Sequence, residues 1–351
     1  MPRPSKILFV ATDLSTGGGV NKVIRDLAVL FRHRFDADVS VVNARSDRPS
    51  SYAFPDDIEV QSHRPQSVIS YFMLLLRLRR FRPDLVIGSW TQDNILLTLA
   101  FLFSRTKTVL VEHSSWHFHH AGVRLLRRLV YPLASHVIVL NGRDLDHYRK
   151  WLSNVRLIPN PVIARAAEKH PREKLIIAIG HLEPLKNFED AIRAMALSRL
   201  EDQGWSMAVI GSGSSESRLR ETIAELGLSR TEIRNSVDEL GPWYARASLL
   251  LVTSRLESFS LVLAEAMLAG VIPLAYASDG PSFILEDFPY LLVEPGNLEA
   301  LSRRLTELAS SGELDPTRER LRASIEARFS PDIVADQWRD VIQVCDGPEP
   351  C

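Results

Sequence analysis

The chain is nearly devoid of cysteine: its 351 residues include only Cys345 and Cys351, both at the extreme C-terminus. A disulfide framework is therefore not expected, and a reducing cytoplasm fits. Long hydrophobic runs are missing too. The longest, around Tyr71 to Leu76 and Ile95 to Phe103, fall well short of the roughly 20 residues that a membrane-spanning helix needs. The N-terminal stretch MPRPSKILFVATDL moves from a short basic segment directly into a strand-like run and a polar turn, so no export signal is expected. There is no low-complexity tract or short repeat. Gly17-Gly18-Gly19 and Gly211-Ser212-Gly213 both lack the last glycine of a Gly-x-Gly-x-x-Gly fingerprint, which disfavours a nicotinamide-dependent oxidoreductase. Four histidines, His113, His117, His119 and His120, crowd one segment, but no cysteine or carboxylate triad accompanies them, so no metal site is expected.

What is present is a soluble-enzyme composition, 45% hydrophobic and 24% charged, in a length that suits two domains. The formal net charge of −1 conceals an asymmetry. Residues 1–165 carry 23 Lys+Arg against 13 Asp+Glu, a formal +10, while residues 166–351 carry 19 against 30, a formal −11. A basic first half suggests a polyanionic partner, nucleic acid or an anionic membrane surface. No recognition helix or aromatic-interleaved basic strand supports nucleic acid. The segments VISYFMLLLRLRRFRP (68–83) and GVRLLRRLVYP (122–132) mix an apolar face with clustered arginines. Each reads either as a core-facing helix with a solvated arginine edge or as a helix lying on anionic lipid.

Each half starts with an apolar strand, a glycine-containing turn and an amphipathic helix: KILFVATDLSTGGG before VNKVIRDLAVLFRH, and KLIIAIGHLEPL before KNFEDAIRAMALSR. Strand-like runs then alternate with helix-length segments, at Val39–Val42, Leu85–Ile87, Val109–Val111 and Val137–Leu140, and again at Met207–Ile210, Leu249–Val252, Val271–Leu274 and Leu291–Val293. Short apolar runs without strict alternation indicate parallel strands buried on both faces, hence two doubly wound α/β domains. After a further strand at Val155–Ile158, Ile158-Pro159-Asn160-Pro161 reads as an extended hinge, with the break expected within 161–172.

Glu257 and Glu265 bracket ESFSLVLAE, just after the apolar run 248–253, so a buried strand delivers Glu257 to a strand-to-helix turn, where open α/β sheets bind ligands. With a helix starting near Ser258, Glu265 lies slightly over two turns on. Alone, the pair reads as solvated charge on an amphipathic helix. A second element changes that reading: Gly180 ends a strand in GHLEPLKNF, and Lys186 sits just before a helix, the wrong sign for the macrodipole unless an anion neutralises it. Backbone N–H groups there, beside Lys186, suit phosphate. The Gly211 turn is a weaker candidate of the same kind.

In this order, Gly180, Lys186, Gly211, Glu257, Glu265 and Asp279-Gly280-Pro281 resemble the nucleotide-sugar-binding half of the retaining family-4 glycosyltransferases of GT-B fold. The resemblance spans nearly the whole chain, including Gly17-Gly18-Gly19, Glu112-His113, the IPNP hinge and a C-terminal helix around Asp332 to Val344. It implies two Rossmann-like domains facing a cleft: an acceptor domain 1–165, a donor domain 166–330, and a tail 331–351 packing back toward the first. It further implies that Lys186 neutralises the donor diphosphate, that Ser260 and Leu261 add backbone N–H groups, and that Glu265 binds the ribose. Glu257 would hold hydroxyls of the transferred sugar, His113 would touch that sugar, Gly18 and Gly19 would approach the donor, and Phe259 belongs to the same donor-binding stretch.

The chain departs from its relatives at His181, where many carry an arginine, with Arg255 as one substitute or simply a partner of Glu257. Ser258 and Ser260 replace residues that are often glycine or proline, and serine at a helix start is expected to cap. The expected activity is metal-independent transfer of a hexose from a nucleoside-diphosphate sugar, UDP preferred on the Asp279-Gly280-Pro281 turn, to a saccharide or lipid-linked acceptor at the inner membrane face, without a cofactor. A catalytically silent nucleotide-sugar-binding partner of another transferase is the alternative.

Overall fold

A computed structural model describes residues 5–163, 170–237, 239–311 and 315–342. The chain forms two compact units, one of residues 1–161 with 331–351 and the other of residues 162–330. The expected break at 165/166 and the two cysteines lie outside the described residues.

In the first unit the order is β1 (Lys6–Ala11), α1 (Gly19–Arg34), β2 (Asp38–Asn43), β3 (Glu59–Ser62), α2 (Val68–Leu78), β4 (Leu85–Gly88), α3 (Thr91–Phe101), β5 (Lys107–Val111), α4 (Ala121–Val130), β6 (His136–Val139), α5 (Gly142–Arg149) and β7 (Val155–Leu157). The strands form one parallel sheet in the order β3-β2-β1-β4-β5-β6-β7. Buried runs such as Leu85-Val86-Ile87 occupy its centre because helices cover both faces. Tyr71, Leu75 and Leu78 of α2 pack with Leu97, Ala100 and Phe101 of α3 against Leu8, Val10 and Val86 of the sheet. The start of α2 is set locally: Ser67 Oγ accepts from the Ser70 N–H at 3.1 Å, and Ser70 Oγ accepts from the Ser67 N–H at 2.9 Å, a reciprocal cap.

The second unit runs β8 (Leu175–Ile179), α6 (Phe188–Ser198), β9 (Ser206–Ile210), α7 (Glu216–Glu225), β10 (Thr231–Arg234), α8 (Gly241–Arg246), β11 (Leu249–Val252), α9 (Leu261–Leu268), β12 (Ile272–Tyr276), α10 (Asp279–Ile284), β13 (Leu292–Val293), α11 (Leu298–Ser310) and α12 (Asp315–Phe329). Its parallel sheet has the order β10-β9-β8-β11-β12-β13. The last helix, α13 (Pro331–Ile342), packs on α1 of the first unit, with the Trp338 and Phe31 rings edge to face at 5.1 Å. Both side chains are fully buried, so this contact carries the hydrophobic weight of a core aromatic pair.

Two strands go beyond the sequence expectation, β3 and β10. Each is an edge strand of four residues, EVQS and TEIR, with a single apolar side chain. A criterion tuned to runs buried on both faces passes over such edges.

Candidate active site

Both sheets reverse direction of winding, the first between β1 and β4 and the second between β8 and β11. Loops leaving the carboxyl ends of two neighbouring strands diverge at such a point and leave a crevice. In the second unit those loops are 180–187 after β8 and 253–260 after β11, which hold the candidate residues Lys186 and Glu257. Lys186 Nζ donates to Glu257 Oε2 at 2.6 Å across 71 residues of sequence, with side-chain exposures of 25% and 15%. The backbones are tied as well. The Arg255 N–H donates to the Leu185 carbonyl at 3.0 Å, and Thr253 Oγ1 donates to the Lys186 carbonyl at 3.3 Å.

The helix that carries Glu265 begins at Leu261, later than the expected start near Ser258, so Glu257 belongs to the approach and Glu265 to the second turn. Neither is a solvated helix charge. Glu265 is 6% exposed and accepts from the Tyr244 hydroxyl at 3.2 Å. Ser260 occupies the N-cap position of α9 but makes no capping bond, contrary to the sequence expectation, and its Oγ is buried without a partner among the described residues. No side-chain cap thus answers the N–H groups of the first turn of α9, the arrangement that favours an anion. Phe259 turns its ring inward, edge to face with Phe329 at 5.5 Å, so only its backbone can face a ligand.

Glycines allow these loops to close on each other. A Cβ at Gly211 would lie 1.9 Å from the Gly180 carbonyl oxygen, so the turns after β8 and β9 approach too closely for any side chain. A Cβ at Gly280 would lie 2.9 Å from the Glu257 carbonyl oxygen, to which the Gly280 N–H donates at 2.6 Å; α10 thereby props the Glu257 loop. His181 and Arg255 are exposed, and Glu257 takes Lys186, not Arg255, as its ion-pair partner. Three residues of this region escaped sequence reasoning. Asn187, in left-handed conformation (φ 51°), donates to Asp190 at 2.7 Å, and the Tyr276 hydroxyl donates to the same oxygen at 2.7 Å. Burial and that carboxylate hold the Tyr276 pKa above the usual phenol range. Asparagine before a helix is a local signal for such a turn. Tyr276, 86 residues from Asp190, leaves none.

In the first unit, Gly18 precedes α1 and exchanges hydrogen bonds with the Tyr52 hydroxyl, its N–H donating at 3.2 Å and its carbonyl accepting at 3.3 Å, while Gly19 opens the helix. His113 follows β5 at the sheet's carboxyl edge. Its Nε2 is buried with no partner among the described residues, and burial pushes its pKa down to about 4, so the ring is neutral near pH 7.

Glu112, just before it, is held by four side chains. Arg127 Nη2 (2.5 Å) and Thr91 Oγ1 (3.1 Å) donate to one oxygen, and Asn94 Nδ2 (3.0 Å) and the Tyr131 hydroxyl to the other. Arg127 is fully buried, over the rings of Trp116 (4.9 Å), Tyr148 (5.3 Å) and Tyr131 (5.4 Å). It is therefore not part of a solvated arginine edge. His119 Nε2 lies 3.0 Å from Thr91 Oγ1 and 2.9 Å from Ser114 Oγ, which ties the 114–119 loop to the same cluster.

These observations agree with comparisons to known proteins. Residues 17–165 match the model described as "Glycosyltransferase Family 4", and residues 161–328 match "Glycosyl transferases group 1". The chain belongs to the family-4 type of GT-B glycosyltransferases. It is 25% identical over 363 residues to the amylovoran biosynthesis glycosyltransferase AmsD of Erwinia amylovora, covering 96% of this chain and 99% of that one. It is 24% identical to a Campylobacter jejuni α-1,4-N-acetyl-D-galactosaminyltransferase named for an undecaprenol-diphosphate glycan, covering 86% and 88%. The fold also matches S. aureus TarM, solved as a mutant in complex with Fondaparinux, α-GlcNAc-glycerol and UDP, at a TM-score of 0.83 and 14% identity over 97% of this chain and 100% of that one. For this glycosyltransferase, two parallel sheets with alternating helices are the GT-B plan.

Proposed function

We propose that this glycosyltransferase moves a hexose from a UDP-sugar, with retention at C1, to a saccharide or lipid-linked glycan during cell-surface polysaccharide assembly. The observation that carries the reading is the meeting of Lys186 and Glu257 beside the uncapped N-terminus of α9. As the C1–O bond breaks, negative charge grows on the departing diphosphate. The Lys186 ammonium and the N–H groups of Ser260 and Leu261 are fixed in place to receive it, and a preorganised cation with N–H dipoles does this without a metal or cofactor. In this reading Glu257, which accepts from Lys186, holds hydroxyls of the sugar, and Glu265, which accepts from Tyr244, those of the ribose. Gly180 and Gly211 let the backbone come close to the nucleotide. The neutral ring of His113 is suited to a hydrogen bond with a sugar hydroxyl and not to countering charge.

Three relatives support the finer points. AmsD is named for amylovoran biosynthesis, the C. jejuni enzyme for an undecaprenol-linked acceptor and an α-linkage, and the TarM complex contains UDP with α-GlcNAc-glycerol. Retention without a protein base follows if the departing diphosphate takes the acceptor proton. A lipid-linked acceptor would place the enzyme at the inner face of the cytoplasmic membrane, which no helix of the described residues is long and apolar enough to cross. The test is a thermal-shift panel of UDP-, GDP- and ADP-sugars, then transfer assays with the best binder. Stabilisation by a UDP-sugar with turnover is expected. Stabilisation by NAD and by none of the sugar nucleotides overturns the reading.

A further inference from the structure

The large apolar side chains left exposed are unevenly placed. In the second unit they are single residues on separate elements, such as Leu197 and Tyr290. In the first unit they gather on α2 and α4, where Val68, Ile69, Met73, Leu125, Leu126 and Leu129 are each 47% to 77% exposed. Helix α3 packs against both α2 and α4, which puts the three in one layer, and Leu99 of α3 is exposed between them.

Rotation cannot bury the leucines of α4. Arg127 on its inner side is locked to Glu112 and stacked on three rings, so the turn that carries it must present Leu125, Leu126 and Leu129 outward. The charge of this stretch is mainly basic. Residues 64–134 contain ten Lys+Arg and only Asp84, Asp93 and Glu112 as acids. Asp93 is buried and paired with Arg45, and Glu112 with Arg127. Arg77, Arg80, Arg82 and Arg128 remain at the surface beside the apolar positions. Apolar side chains flanked by arginines fit the boundary between acyl chains and anionic headgroups, whereas a second copy of this face would set arginine against arginine.

We propose that the α2–α4 face docks on an anionic phospholipid bilayer, with the leucines of α4 entering the headgroup boundary. The proposal deepens the lipid-linked acceptor reading, which supplies its use but not its evidence.

The test is flotation of the full-length protein with vesicles of phosphatidylglycerol in phosphatidylcholine and with phosphatidylcholine alone. Binding is expected to the anionic vesicles, to weaken as salt rises, and to fall at least about tenfold in Leu125→Glu/Leu129→Glu and in Arg77→Glu/Arg80→Glu. Each changed position is exposed, so the variants should keep the wild-type thermal midpoint and its rise with UDP-sugar. The proposal fails if the wild type does not float with anionic vesicles, or if both variants float as it does. It also fails if light scattering shows a dimer that Leu125→Glu/Leu129→Glu dissociates while no vesicle is bound. Flotation without stabilisation by any sugar nucleotide upholds the surface and refutes the donor-site reading, so the two fail separately.

Discussion

Replacing Lys186 with alanine removes the cation paired with Glu257 and separates the chemistry of the site from its architecture. The pair sits 2.6 Å apart with side chains 25% and 15% exposed. A unit charge about 4 Å from a growing negative charge, at an effective dielectric near 20, is worth roughly 4 kcal/mol. At about 1.4 kcal/mol per decade, that is close to a thousandfold in rate, in line with the roughly 10²- to 10³-fold cost of deleting one oxyanion donor. The contribution to folding is far smaller. A partly exposed pair contributes up to about 1 kcal/mol, or some 2–4 °C in the midpoint of a unit this size. Initial rates across donor concentrations, with a thermal scan of the same sample, therefore separate two cases. If Lys186 serves the leaving group, kcat falls by at least about a hundredfold while the midpoint barely moves. Transfer by Lys186→Ala within a few-fold of wild type, with the midpoint lowered, would make the lysine a structural partner of Glu257 and sink the proposed role.

Other outcomes follow from the same geometry. Glu257→Gln should raise the donor KM more for the sugar nucleotide than it weakens inhibition by UDP alone; equal effects on both would remove Glu257 from the sugar. Gly211→Ala places a Cβ on the Gly180 carbonyl oxygen and should cost several kcal/mol or prevent folding, and denaturant titration giving a loss under about 1 kcal/mol contradicts the close approach. Arg127→Met leaves the buried Glu112 carboxylate without its counter-ion, and Glu112→Gln leaves the buried Arg127 guanidinium without its own, so each should destabilise by about 3–5 kcal/mol in a denaturant titration; a loss under about 1 kcal/mol in both contradicts the buried pair. For His113 the folded pKa is about 4 against an unfolded value of 6.5, so the unfolded chain binds the extra proton between them. Its contribution to stability is complete above pH 6.5 and is lost as pH falls through 4, by up to about 1.4 kcal/mol per pH unit in that window. His136, also lowered to about 4 by burial and then by Arg156 and Lys107, acts in the same window. Denaturant melts of wild type and His113→Asn at about pH 7 and pH 5 test this; equal pH sensitivity of the two refutes the assignment to His113.

The interior of both sheets was legible in the sequence because parallel strands covered by helices must be apolar throughout, as in Leu249-Leu250-Leu251-Val252. The edge strands Glu59–Ser62 and Thr231–Arg234 were not, since an edge need not be buried and its composition is that of a loop. Within the site, local order alone pointed to a phosphate site at Lys186 and a strand-to-helix turn at Glu257; nucleotide-sugar chemistry came from the resemblance to the family-4 glycosyltransferases. The late start of α9 did not show, because serine near a helix start reads as a cap, whereas Ser260 at the N-cap closes no capping bond.

Residue types and their order along the chain determined that this protein has two doubly wound units and which turns end at strand carboxyl edges. Those properties follow from hydrophobic patterning and backbone preference, which act over a few residues. Only the tertiary structure decided which turns meet. Lys186 reaches Glu257 because β8 and β11 become neighbours where the strand order reverses, and Gly211 must be glycine because the carbonyl of Gly180 occupies the place of its side chain. It likewise turned one arginine of the basic segment 122–132 inward, to Glu112, and left the leucines outside. Buried charge is stable only where distant donors converge on it, and such convergence is a property of packing that no local pattern carries.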